Sequence, residues 1–156
     1  MEQPKVIHST FTLERSFPKP PETVFAALSD PAKLRRWFAG EDQNDVKEFS
    51  SDFRVGGEKR LRYLLKGGPV AGKEIRNMGR YLEIVPNEHI VTASTMTLEG
   101  KCFSASQVTY ELVPTKDGTD LIFTHQGAYF EMPDGPKMLE AGWRAVMDKL
   151  AAELVD

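Results

Sequence analysis

"GGPVAGKE", Gly67–Glu74, comes within one residue of a phosphate-binding loop. That pattern is G-x-x-x-x-G-K-[ST]; Gly67, Gly72 and Lys73 fit it, and Glu74 stands where Ser or Thr belongs. The choice decides the fold. A phosphate loop leads from a strand into a helix, whose free N–H groups hold the phosphates while a hydroxyl ligates magnesium. Here the loop leads into EIRNMGRYLEIVP, which ends in strand-like alternation and a Pro and carries no helical stripe. Glu74 would crowd a phosphate with a carboxylate. Gly-Gly-Pro is then the tip of a long hairpin, and no nucleotide binding is expected.

Outward from this hairpin, the chain reads as strands on both sides. Glu58–Lys66 places Leu61, Tyr63 and Leu65 on one face and Arg60, Arg62 and Lys66 on the other. Further strands are expected at Val46–Phe49, Glu74–Val85, His89–Met96, Ser104–Val113 and Asp120–Phe130. PNEH, the LEGK region and TKDGTD separate them with turn chemistry, at hairpin lengths that imply an antiparallel sheet. Gly56-Gly57 predicts a bulge or sharp bend. The first strand, Val6–Phe17, alternates Phe11, Leu13 and Phe17 against Thr10, Thr12, Glu14 and Ser16, with Arg15 on the apolar parity.

Helical signals occur in two places. After Pro20 and Pro21 come two short segments, the first with Val24, Phe25 and Leu28. The second opens at Asp30-Pro31 as N-cap and first position, and carries Leu34, Trp37 and Phe38. Near the end, Leu139, Trp143, Val146, Met147, Leu150 and Leu154 recur at spacings of three and four. A helix over Lys137–Val155 would be about 28 Å long. Gly142 inside it predicts a close approach of some neighbour to the helix backbone.

The length of 156 residues suits one domain with one sizeable core. A net charge of -3 speaks against a nucleic-acid binder. The single cysteine, Cys102, excludes an intramolecular disulfide and a cysteine-based zinc site and fits a cytoplasmic location. MEQPKVIHST lacks an apolar export core, and no apolar run is long enough to span a membrane.

Five blocks together carry a family resemblance: "RSFPKPPETVFAALSDPAKLRRWF", "DFRVGG", "MGRYLEIVPNEHIV", "DLIFTHQG" and "AGWRAVMDKLAAEL". In this order they resemble the Hsp90-ATPase-activator-homologue family of the START-like (SRPBCC) superfamily, from about Thr10 onward. The resemblance implies an α+β helix-grip fold over a single domain, 1–156. A curved antiparallel sheet would wrap a long C-terminal helix, with two short helices after the first strand and a cavity between helix and sheet. Its relatives include lipid and hormone carriers, polyketide cyclases and chaperone-related Hsp90 co-chaperone domains, so function must come from the site.

The expected site is that cavity. Trp37, Phe38, Trp143 and Met147 would wall it from the helices, and Tyr63, Phe123 and His125 from the inner sheet. His125 shares the parity of Leu121 and Phe123 and reads as a packed histidine, a pocket contact or an acid/base. Arg15 reads as a ligand anchor, an ion-pair partner, or a residue where the first strand leaves the sheet. No catalytic or metal-binding constellation is recognisable, and no cofactor is called for. The function expected is binding of a small, mostly apolar ligand. A co-chaperone-like protein-binding module, or a cyclase- or hydratase-type enzyme using His125 or a tyrosine, is the alternative. Partners are then a small apolar molecule, a protein, or a second copy in a homodimer; nucleic acid is not among them.

Overall fold

The computed structural model describes residues 5–155. The reading of the amino-terminal stretch as free of an export signal rests partly on residues outside these.

The chain forms β1 (Val6–Phe17), α1 (Pro21–Ser29), α2 (Pro31–Phe38), β2 (Asn44–Ser51), β3 (Glu58–Leu65) and β4 (Glu74–Val85). It continues through β5 (His89–Leu98), β6 (Lys101–Pro114), β7 (Thr119–Phe130) and α3 (Gly135–Glu153). The seven strands make one antiparallel sheet in the order β1-β7-β6-β5-β4-β3-β2. Six consecutive strands form a meander, and β1 closes onto β7, the last of them. All three helices belong to the concave side, which makes this the expected α+β helix-grip architecture.

The Gly67–Glu74 segment joins β3 to β4 as a hairpin tip. The Gly72 N–H donates to the Leu65 carbonyl at 2.6 Å, and the Leu65 N–H to the Lys73 carbonyl at 3.0 Å. Gly68 and Gly72 sit at φ +76° and +85°, which glycine adopts without a Cβ penalty. Gly56-Gly57 makes the sharper of the two expected features. A Cβ on Gly57 would fall 1.9 Å from the Asp52 carbonyl oxygen, so the chain turns tightly there before β3. Register shifts occur elsewhere, at Val46/Glu48, Tyr81/Glu83 and Met96/Thr97.

Local chemistry explains the helices. Pro20 precedes α1 in an extended conformation, and Pro21 opens the helix, where its missing N–H costs nothing. The Asp30 side chain accepts from the Ala32 and Lys33 N–H groups at 2.9 and 3.3 Å and so caps α2. Between them the Trp37 indole N–H donates to the Ala27 carbonyl at 2.9 Å and pins α2 onto α1. Met147 and Leu150 of α3 and Leu154, which caps its C-terminus, are buried, as their spacing requires.

Three expectations change. α3 begins at Gly135 rather than Lys137, because Pro136 fits a first helical turn, and it ends at Glu153. β2 and β6 are longer at both ends than their apolar runs, since backbone pairing continues where side chains no longer alternate. Gly142 is exposed, and nothing lies within 4 Å of the place its Cβ would take; no neighbour approaches the helix backbone there.

Gly142→Ala is therefore expected to stabilise the protein by about 1 kcal/mol, the helix-propensity difference. Urea denaturation should show a higher midpoint at an unchanged m-value. A lower midpoint would reveal a close contact at this turn of α3.

Candidate functional site

α3 does not lie over the middle of the sheet. It packs on β1 and β7 and against α2, while β4 and β5 receive no comparable helical cover. Rings fill the junction. Trp143 stands 4.6 Å from Phe123, 5.8 Å from Phe38 and 6.5 Å from His125, centroid to centroid. Trp143 keeps part of its surface open, and the inner-face residues Asn77, Ser94 and Met96 of the uncovered strands are likewise only half-buried.

A row of small residues crosses this concave face. Gly79 pairs with Ser94, Ser94 with Ser106, and Ser106 with Gly127. Residues paired across antiparallel strands project to one side. Two positions along, on that same side, stand the buried Tyr81, Thr92, Val108 and His125. The row is thus the floor of a trough between bulkier neighbours. At β3 it begins with Lys59, the register partner of Gly79. From β3 to β7 it spans four strand steps, about 19 Å.

The trough ends in polar groups that lack partners. His125 is 1% exposed, and among the described residues its Nδ1 has no hydrogen-bond partner. Tyr129 is fully buried, and among the same residues its hydroxyl has none either. Both lean over Gly127, whose absent Cβ would lie 3.0 Å from His125 Cε1 and 3.0 Å from the Tyr129 hydroxyl oxygen. Phe11 stacks on His125 at 4.8 Å with the rings 9° from parallel. Burial pushes the His125 imidazole down to about 4, so it is neutral at pH 7 and presents one donor and one acceptor.

Lys59 closes the other end. It is only 8% exposed, although it is a lysine. Its ammonium rests 4.2 Å from the Phe38 ring centroid and 6.0 Å from that of Tyr81. Among the described residues no carboxylate comes within 4.0 Å of it. Desolvation lowers its pKa to about 8. The Tyr81 hydroxyl is engaged with Ser51 Oγ at 2.7 Å and leaves the ammonium to the two rings.

The residues singled out from the sequence fall into three groups. Phe38, Phe123, His125 and Trp143 meet in one cluster. Trp37 and Met147 are fully enclosed behind it, and Tyr63 is half-buried on the β3 side. Arg15 stands apart: its guanidinium holds Asp148 of α3 at 3.1 Å, the ion-pair arrangement among its three readings. Tyr129, like Tyr63 and Tyr110, is readable from the sequence as an inward tyrosine whose hydroxyl could meet a ligand, and Tyr110 and Tyr129 are buried; Lys59, the meeting of Tyr129 with His125 over Gly127 and the small-residue row are not. Lys59 shares the parity of Leu61, which was the available signal. Among the described residues no group of three His, Cys, Asp or Glu converges on a point, and no helix is long and apolar enough to cross a membrane. Two open hollows of about 370 and 480 Å³ occur besides, one at the β2–β3 turn and one around Arg60, Met78 and Arg80 on the opposite face of the sheet, the latter reaching Gly79, Ser94 and Ser106 of the row from behind.

A gripped C-terminal helix, two short helices after the first strand and a partly open concave face define a START-like binding module. The family model described as activator of Hsp90 ATPase homolog 1-like protein matches residues 18–155, and the chain belongs to that family. The crystal structure of the Mll3558 protein from Rhizobium loti is similar, at 45% identity and a TM-score of 0.86, over 96% of this chain and 99% of that one. A Rhizobium leguminosarum protein matches at 30% identity and a TM-score of 0.85, over 96% and 95% of the two chains. The AHSA1 protein of Silicibacter pomeroyi matches at 25% and 0.75, over 94% and 97%. No curated protein matches the sequence. Membership supports binding of a ligand or a protein.

His125 makes acid stability a test of this geometry. Its ordinary pKa of 6.5 applies to the unfolded chain and about 4 to the folded one. Between these values the unfolded chain holds a proton that the folded chain does not, so stability rises with pH there. The contribution is fully present above the higher value and is lost as pH falls through the lower one, about 3 kcal/mol in all. His125→Gln should remove that part of the slope in urea titrations across this range. An identical slope in the variant would mean that the imidazole is solvated in the folded state.

Proposed function

We propose that the chain binds a small, mostly apolar molecule on its concave face, between α3 and the inner strands. The observation that carries this reading is the pair of buried, unpartnered polar atoms, His125 Nδ1 and the Tyr129 hydroxyl, at the end of the trough. A buried polar group without a partner costs about 1–3 kcal/mol. A bound molecule carrying one or two polar atoms would satisfy them and recover that energy.

The walls suit the rest of such a molecule. Tyr63 and Trp143 offer part-open ring faces, with Phe38, Phe123 and Met147 packed behind them. Arg15, held by Asp148, would act only by keeping α3 in place, and Trp37 by fixing α2. Burying about 300 Å² of apolar ligand surface gives a gross gain near 7 kcal/mol at ~25 cal/mol per Å². After association costs, micromolar binding is expected. The reading goes with a cytoplasmic location, consistent with the lone Cys102.

Ser106→Phe tests it. Ser106 is half-buried on the trough floor, so a ring there fills the space while leaving the walls intact. Nile red should bind the wild type with enhanced fluorescence and bind the variant at least about tenfold more weakly. Circular dichroism should show the variant folded. Equal affinities in two folded proteins would place the dye elsewhere and favour a protein-binding module that uses an outer surface.

A further inference from the structure

We infer that the occupant of the trough is an amphipathic anion, its acidic head group seated on the Lys59 ammonium and its apolar body lying along the Gly79–Ser94–Ser106–Gly127 floor toward His125 and Tyr129. This rests on the binding reading above and specifies the chemistry of the ligand.

Lys59 is the reason. Lysine is among the residues least often buried, and a buried one ordinarily has an anionic partner. Here the adjacent charges, Glu58 and Arg60, bond to each other at 2.7 Å, and Arg80 also reaches Glu58, at 2.8 Å. That network belongs to the opposite parity of β3, outside the trough. On the inner side, among the described residues, the ammonium meets ring faces and no carboxylate; rings attract a cation but do not neutralise it. With its pKa near 8, the group remains mostly charged at pH 7. An anion arriving there would form a charge-assisted hydrogen bond in a partly desolvated place, where such bonds are strong.

Length agrees with this. From Lys59 on β3 to Ser106 on β6 the row runs three strand steps, about 14 Å, enough for an acidic head and a body of roughly eight to ten carbons, before His125 and Tyr129 close over Gly127. The side chains beneath that body are hydrogen atoms and hydroxymethyl groups, and Ser94 Oγ and Ser106 Oγ already face each other at 3.4 Å. A slim chain or a flat ring fits above such a floor between the flanking aromatics.

The test compares decanoate with 1-decanol as displacers of Nile red, near pH 7, on the full chain. In the wild type decanoate should displace the dye at least about tenfold more effectively than decanol. Lys59→Met should remove that advantage and leave decanol unchanged. The same variant should unfold at higher urea than the wild type, because it no longer buries an uncompensated charge. If the wild type binds decanol as well as decanoate, the anion inference is overturned while binding itself stands. A lower urea midpoint for Lys59→Met, or equal loss of both displacers, would overturn it too, by making Lys59 a structural residue. If Nile red binds and neither compound displaces it, or if the dye does not bind at all, the small-molecule reading falls with it.

Discussion

Met147 and Leu150, both fully buried, fix α3 over β1 and β7. The position is set by matching surfaces. The stripe on α3 needs a large apolar partner, and the inner face richest in rings and branched chains is that of the β1–β7–β6 end: Phe11, Leu13, Val108, Tyr110, Leu121 and Phe123. Each such side chain is worth roughly 1.5–3 kcal/mol when removed from water. The inner face of β4 and β5 carries the buried Ile75, Tyr81, Ile90 and Thr92 as well, but beside them stand Asn77, Gly79, Ser94 and Met96, which offer a helix much less. The helix settles on the better half, and the poorer half stays partly open. The groove follows from the uneven distribution of apolar side chains over one face of the sheet.

The same imbalance sets the energetics of the concave side. The aromatic junction of Phe38, Phe123 and Trp143 is well packed and stabilises the attachment of α3 to α2 and β7. Along the trough the terms have the opposite sign. Lys59, His125 and Tyr129 are withdrawn from water without full compensation, and each loses a few kcal/mol of hydration. Only a stable core elsewhere can carry three such groups within a net stability of ordinary size. Thr97 Oγ1 is also buried without a partner among the described residues and lies off the row; Lys59, His125 and Tyr129 share one face, at the two ends of one row, as a binding surface requires.

Much of this architecture was legible before any coordinates. Period-two alternation in β1 and β7 located their buried faces residue by residue, and the spacing of Trp143, Met147, Leu150 and Leu154 located the gripping side of α3. Asp30-Pro31 announced a helix start that the Asp30 cap then makes. The closing of β1 onto β7 was not legible, because pairing partners far apart leave no local pattern. Lys59 was hidden for a related reason. Glu58, Lys59 and Arg60 are three charges in succession, so the alternation that exposes β1 is masked exactly where an inward charge breaks it. The small-residue row exists only in the cross-strand register, with one member on each of four strands. Gly142 shows the converse: a glycine that looks like a packing requirement in the sequence faces empty space in the fold.

The closure of the sheet also has a history in time. β1 ends at Phe17, and β7, its partner strand among the described residues, begins at Thr119. On the ribosome, at roughly 5–20 residues per second, the first strand therefore waits on the order of 5–20 seconds for the strand it must pair with. During that interval Phe11, Leu13 and Phe17 have no sheet to enter. β2 through β6 can meanwhile form their hairpins in order of synthesis. The nascent chain thus carries the apolar face of β1 uncovered until β7 arrives, and is open to misassociation throughout that interval.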